Sequence, residues 1–296
     1  MLDTNEFNLL QHLTTLGNKY FQDFPENAQT SITSKILEEK GRSNSVYDLG
    51  DLAWWPTDED MKKKCPKESQ DPAKIVIIKK FLKDFSGNDS AISKDLKEIL
   101  DNTEFTIPIR PKEQQPTPNV GAVFKKGNNG QKNEAVLMVS EVLFEDKNKD
   151  ILPGLLAHEM GHFIDFYNRP QKDDIKLKYM DGAETFADTM GVMIAKNAGY
   201  NCDAWANFLQ SESEKGINPP HTHSGIHRAK TIYECSNAYD AANKKYHEKA
   251  TQKNTNADKI QQLRGISSSR KTSYKPQTTT VNPNILRLYQ GKKQNA

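Results

Sequence analysis

The stretch that decides the fold is Leu155-Leu156-Ala157-His158-Glu159-Met160-Gly161-His162-Phe163-Ile164-Asp165-Phe166. On an α-helix, residues four apart lie one turn above each other on the same face. His158 and His162 can therefore reach one cation, with Glu159 beside them on its open side. Gly161 offers little bulk on the face toward an incoming substrate, at a helix-propensity cost of about 1 kcal/mol against Ala. A helix that keeps such a glycine with two histidines and a glutamate is not optimised for stability alone.

The spacing is that of an HExxH zinc hydrolase, and the chemistry explains it. Two neutral imidazoles hold Zn²⁺ at about 2.0–2.1 Å, and a third protein ligand leaves one position for water, whose pKa falls toward ~7 on the metal. Glu159 can then take that proton as general base and pass it to the leaving amine. With seven histidines in 296 residues, a chance HExxH is expected in roughly one of 100 such chains, so a third ligand decides more.

Glu184-Thr185-Phe186-Ala187-Asp188 starts 22 residues after His162. Glu184 and Asp188 are again one turn apart on one face, so Glu184 can bind the metal while Asp188 receives an N–H from a ligand imidazole and fixes its tautomer. The competing reading is a solvated acidic pair at a helix start, where carboxylates favour the dipole.

HExxH followed by ExxxD resembles the gluzincin signature. The run Ala183 to Val192, then Ala198-Gly199-Tyr200 and Trp205 to Leu209, is similar to the third-ligand helix and its continuation in the CAAX prenyl protease and HtpX-like heat-shock protease family. Asn119-Val120-Gly121-Ala122 and Ala135 to His162 resemble that family's paired strands and metal helix, so the resemblance spans roughly residues 119–240. It implies an α+β, zincin-like metallopeptidase domain with Zn²⁺ as cofactor and a protein or peptide substrate. The interval from His162 to Glu184 is shorter than the family's, closer to that of thermolysin, and the transmembrane helices of the prenyl protease and HtpX branches are missing. The family also has a His-Pro pair followed, six residues after the His, by an Arg near the catalytic centre. In the corresponding stretch here, Pro219-Pro220-His221-Thr222-His223-Ser224-Gly225-Ile226-His227-Arg228, His221 stands seven and His223 five residues before Arg228, so neither keeps that spacing. The resemblance favours His223 as a donor to the oxyanion or a modulator of the open metal position, and Arg228 as a group that orients the nearby acids or a substrate carbonyl. For His221, His223 and His227 alike, an exposed or structural histidine is the competing reading.

Composition sets the surroundings. Apolar content is 35% and mean hydropathy −0.80, which points to polar tail beyond a packed domain. Between Asn243 and Ala296 there are 12 Lys/Arg against Glu248 and Asp258, a balance of +10; with +2 for the whole chain, residues 1–242 carry −8. The first residues lack the basic and apolar regions of a Sec signal, and no apolar run approaches a membrane span. The expectation is a cytoplasmic protein, or one exported without a Sec signal. Cys65, Cys202 and Cys235 read as free thiols, with a disulfide among them the alternative.

Apolar spacing predicts a helical N-terminal region over 1–103, with helices over 3–22, 28–40, 72–85 and 90–100, and Trp54-Trp55 as a docking or core anchor. A metallopeptidase domain follows over 104–242, with strands over 105–109, 119–124 and 135–144. The strand of Val136, Met138 and Ser140 is expected to be an edge along which substrate adds as a further strand. Residues 243–296 read as a polar helix and a disordered basic tail; basic residues without interleaved aromatics are a weak sign of nucleic acid. Its apolar cluster, Ile285-Leu286-Arg287-Leu288-Tyr289, reads as solvated tail, groove-docking or self-inhibitory peptide, or recognition or export signal. The function expected is a zinc endopeptidase. The alternatives are a non-catalytic zinc module closed by a fourth protein ligand, and a regulatory or effector protease that cuts one specific protein.

Overall fold

The structure is a computed structural model that describes Thr15, Lys19, Tyr20 and residues 71–125, 127, 131–168, 182–216, 225–241, 243 and 244. The expected helix over 28–40, Trp54-Trp55, Cys65, His221, His223 and Ile285 to Tyr289 lie outside these residues. Thr15, Lys19 and Tyr20 are helical. Contacts divide the chain into two compact units, 1–240 and 241–296.

Helix α1 (Pro72–Phe85) starts where the sequence places it. The Asp71 carboxylate accepts from the Ala73 N–H at 2.9 Å, and Pro72, which lacks the N–H that a first turn leaves unpaired, follows the cap. Its turns bury Ile78, Leu82 and Phe85. Helix α2 (Ala91–Asp101) is capped by Ser90, which accepts from the Ser93 N–H, and buries Ile92, Leu96 and Ile99. Tyr20 is buried against α2 with its hydroxyl on the Asp95 carboxylate, and burial followed by that contact pushes the phenol's pKa far up.

The sheet is built from β1 (Thr103–Thr106), β2 (Ile109–Arg110), β3 (Val120–Lys125) and β4 (Asn133–Ser140). β4 lies in its middle. β1 and then β2 pair with it in parallel along one side, Thr106 opposite Val136 and Arg110 opposite Ser140, while β3 runs antiparallel along the other, Val123 opposite Val136. The chain continues from β4 into a 3₁₀ turn (Glu141–Phe144) and then α3 (Leu152–Asn168), α4 (Gly182–Asn197), α5 (Asp203–Glu214) and a helix over 225–241, here α6. Helices and a small mixed sheet make the chain α+β.

This topology corrects the expected substrate strand. Both backbone edges of β4 are already bonded, so no peptide can add to it. Nor do Val136, Met138 and Ser140 face the metal helix. Phe124, the partner of Ala135, packs on Phe163 of α3, so Ala135, Leu137 and Val139 face α3 and the even-numbered side chains point to the opposite face. There Val136 and Ser140 are buried, and the Ser140 hydroxyl donates to the Thr117 carbonyl at 3.0 Å. Among the described residues, β3 pairs with β4 alone and is the sheet's antiparallel edge beside α3.

One apolar cluster runs from Tyr20 through α1, α2, the α3 face of the sheet, α3, α4 and α5 to Cys235. The helices of the N-terminal region therefore share a core with the helices of the site. Tyr200, just past α4, donates to Asp84 of α1 at 2.7 Å and packs its ring against Phe81 and Phe85. Cys202 and Cys235 are buried, and burial holds the Cys202 thiol up at about 12. Among the described residues no helix is long and apolar enough to cross a membrane.

Candidate metal centre

The site depends on how closely α3 and α4 cross. A Cβ on Gly191 would lie 2.9 Å from the His158 nitrogen and 3.0 Å from its Cα; one on Gly161 would lie 2.6 Å from the Ala187 carbonyl oxygen. Both are closer than packed atoms come, so each helix presents a glycine to the other's backbone. This revises the reading of Gly161, which faces α4 rather than substrate. Gly191, which sequence reasoning did not single out, is the matching contact from the other side. We expect Gly191→Ala to force the helices apart at an overpacking cost of about 1–3 kcal/mol and to weaken metal binding together with thermal stability. Thermal unfolding with and without metal would show it, and an unchanged metal-dependent shift would contradict the role given to this crossing.

At the crossing, His158 Nε2 and His162 Nε2 stand 3.1 Å apart, His158 Nε2 and Glu184 Oε2 3.4 Å, and His162 Nε2 and Glu184 Oε1 3.3 Å. Ligands at about 2.0–2.1 Å in a tetrahedral shell are separated by about 3.4 Å, so the triangle has the size of one face of such a shell. The three residues form a group able to hold a metal ion, and no fourth His, Cys, Asp or Glu among the described residues joins it. Two helices thus bring together the three ligands expected from the sequence.

Behind the triangle the expected carboxylate is in place. His158 Nδ1 lies 2.8 Å from Asp188 Oδ1, so its N–H is donated to Asp188, and in the neutral imidazole this leaves the Nε2 lone pair toward the centre. Asp188 is fully buried and is gripped by Arg228 of α6, whose Nε donates to Oδ2 at 2.8 Å and Nη2 to Oδ1 at 2.7 Å. Arg228 Nη1 also stands 3.4 Å from Glu184 Oε2. The sequence reading offered Arg228 two roles, orienting acids or a substrate carbonyl; the structure places it on the acids. His223 lies outside the described residues, and His227 follows Ile226 on the first turn of α6.

The electrostatics follow from burial against charge. For Asp188, desolvation alone would raise the carboxyl, but Arg228 and then His158 hold it below the usual range. For Glu184, burial is likewise overcome, here by His162 and His158, and the carboxyl sits well below its ordinary value. Burial and Arg228 push the His158 imidazole down, and Asp188 and Glu184 outweigh them, raising it to about 9. Glu159 is 8% exposed on the same helix, and there burial wins and raises its pKa, with His158 and His162 opposing. Two carboxylates kept anionic and one kept basic, around a pair of imidazoles, is a division of roles that a plain surface cluster does not need.

No protein-family model, no curated protein and no solved structure matches the chain. The chemistry of the site therefore rests on its own residues.

Proposed function

We propose that the protein is a zinc-dependent endopeptidase of zincin-like architecture. The observation that carries this reading is the triangle of His158, His162 and Glu184, with sides of 3.1–3.4 Å, beside the buried carboxylate of Glu159. Two imidazoles and one carboxylate are a zinc set, and three protein ligands rather than four among the described residues leave room for chemistry.

When bound there, Zn²⁺ supplies a Lewis acid that polarises a carbonyl and acidifies water. The remaining work falls to the chain. Glu159, made more basic by burial, accepts a proton from the attacking water and returns it to the departing amine nitrogen. Asp188 keeps His158 in the tautomer that directs Nε2 to the centre, and Arg228 keeps Asp188 ionised and in register. The backbone of β3, free along one edge among the described residues and next to α3, replaces β4 as the strand along which an extended peptide aligns.

Incubation of the zinc-loaded protein with a whole-cell lysate, followed by mapping of new N-termini, tests the reading. New N-termini that depend on Glu159 are expected. Their absence would overturn it in favour of a non-catalytic metal module.

A further inference from the structure

His158 is held by more than its hydrogen bond to Asp188. Its backbone nitrogen and Cα face Gly191 of α4, and against its ring stands Trp205 of α5. Trp205 is fully buried, with its indole edge-on to the imidazole at a centroid distance of 6.0 Å and an angle of 61°. The seat for that indole is Gly154. A Cβ there would lie 2.5 Å from Trp205 Cβ, 2.7 Å from Cγ and 2.9 Å from Cδ2, closer than packed atoms come. Gly154 is one turn before His158 on the same face of α3, and helical side chains lean toward the N-terminus, so His158 leans over the turn on which the indole rests. The missing side chain at 154 brings a large ring against a residue of the metal triangle.

One hydrogen bond fixes a point of an imidazole and not its plane. With Nδ1 on Asp188 the ring can still tilt, and tilting carries Nε2 away from His162 and Glu184. A second ring packed edge-on, with centroids about 4.5–7 Å apart, resists that motion. Nor is an indole the choice that packing alone would make. Trp205 Nε1 is buried and meets no acceptor among the described residues, a cost that a phenyl ring would avoid. We propose that Trp205 is a positioning residue of the metal centre: seated on Gly154, its indole sets the tilt of the His158 imidazole that the bond to Asp188 leaves open. The inference rests on the metal-binding part of the proposed function and holds whichever bond the centre breaks.

The test is the zinc Kd of the folded full-length protein, measured by competition with a chromophoric chelator, together with the visible bands of the cobalt(II)-loaded protein, which report ligand geometry. Trp205→Leu is expected to raise Kd by about 10- to 100-fold, the usual cost of losing a group that orients a ligand, and to shift the cobalt bands. Leu209→Ala, at a buried position one turn further along α5, is the packing control: it should lower the melting temperature and leave Kd and bands unchanged. A Trp205→Leu protein within about twofold of wild type, or a Leu209→Ala protein that loses as much affinity, makes Trp205 a core residue only and leaves the metal centre standing. No stoichiometric zinc uptake by wild type overturns the metal centre and this inference together. If Trp205→Leu does not fold, Trp205→Phe is read instead. It keeps a ring on Gly154 with a shorter reach, so Kd should rise by at least about threefold, and an unmoved Kd with unmoved bands overturns the positioning role.

Discussion

On the endopeptidase reading, Glu159→Gln is expected to leave zinc bound at one ion per chain and to lower peptide hydrolysis by on the order of 10²- to 10⁴-fold. The substitution keeps the size and shape of a side chain that is 8% exposed, so packing on α3 is not disturbed. It removes no ligand, because the group that can hold the ion is His158, His162 and Glu184. What it removes is, among the described residues, a carboxylate beside that group that neither belongs to the triangle nor supports one of its members. Metal analysis and a progress curve on a peptide recovered from the lysate map measure both quantities. Loss of zinc in the variant would mean that Glu159 is a ligand, and an undiminished rate would mean that the base is elsewhere.

Arg228→Met is expected to cost about 3–5 kcal/mol of stability, because it leaves the Asp188 carboxylate buried without its cation. Asp188 has no solvent to fall back on, being fully buried, and both of its oxygens receive donors from Arg228 at 2.7 and 2.8 Å. For a domain of this size the loss lowers the melting temperature by roughly 10 °C or more. Asp188 would then tend to take up a proton, which replaces the anionic acceptor for His158 Nδ1 by a weaker neutral one and weakens zinc binding as well. A double variant, Arg228→Met with Asp188→Leu, should recover part of the stability but not the zinc affinity, since it removes the orphaned charge and leaves His158 Nδ1 without its acceptor. A single variant that melts within about 1 kcal/mol of wild type would contradict this account of Arg228.

The site was legible in the sequence to the extent that it is helical. Four-residue spacing converts directly into a shared face, so His158 with His162 and Glu184 with Asp188 could be paired off without knowing how the two helices meet. The caps of α1 and α2 were equally local, since Asp71 and Ser90 bond within their own first turns. The strand order was not. Ala135 to Val139 is a run of apolar residues buried on both faces, the mark of a central strand, yet its partners lie up to 30 residues away at Thr103 and nothing within the run reveals whether one or two edges are taken. Gly161 was misread for a related reason: its missing side chain signals a close approach, but only the crossing with α4 shows that Ala187 is what approaches. Arg228 stands 40 residues from Asp188 in the chain, and its two candidate roles separate only when α6 is packed against α4.

Zinc titration of the metal-free protein, run in parallel on Glu184→Ala, tests the central claim most directly. Wild type should take up one zinc per chain, and the variant should lose most of that affinity because one corner of the triangle is gone. Equal uptake by both proteins, or no stoichiometric uptake by wild type, would contradict a metal held jointly by α3 and α4.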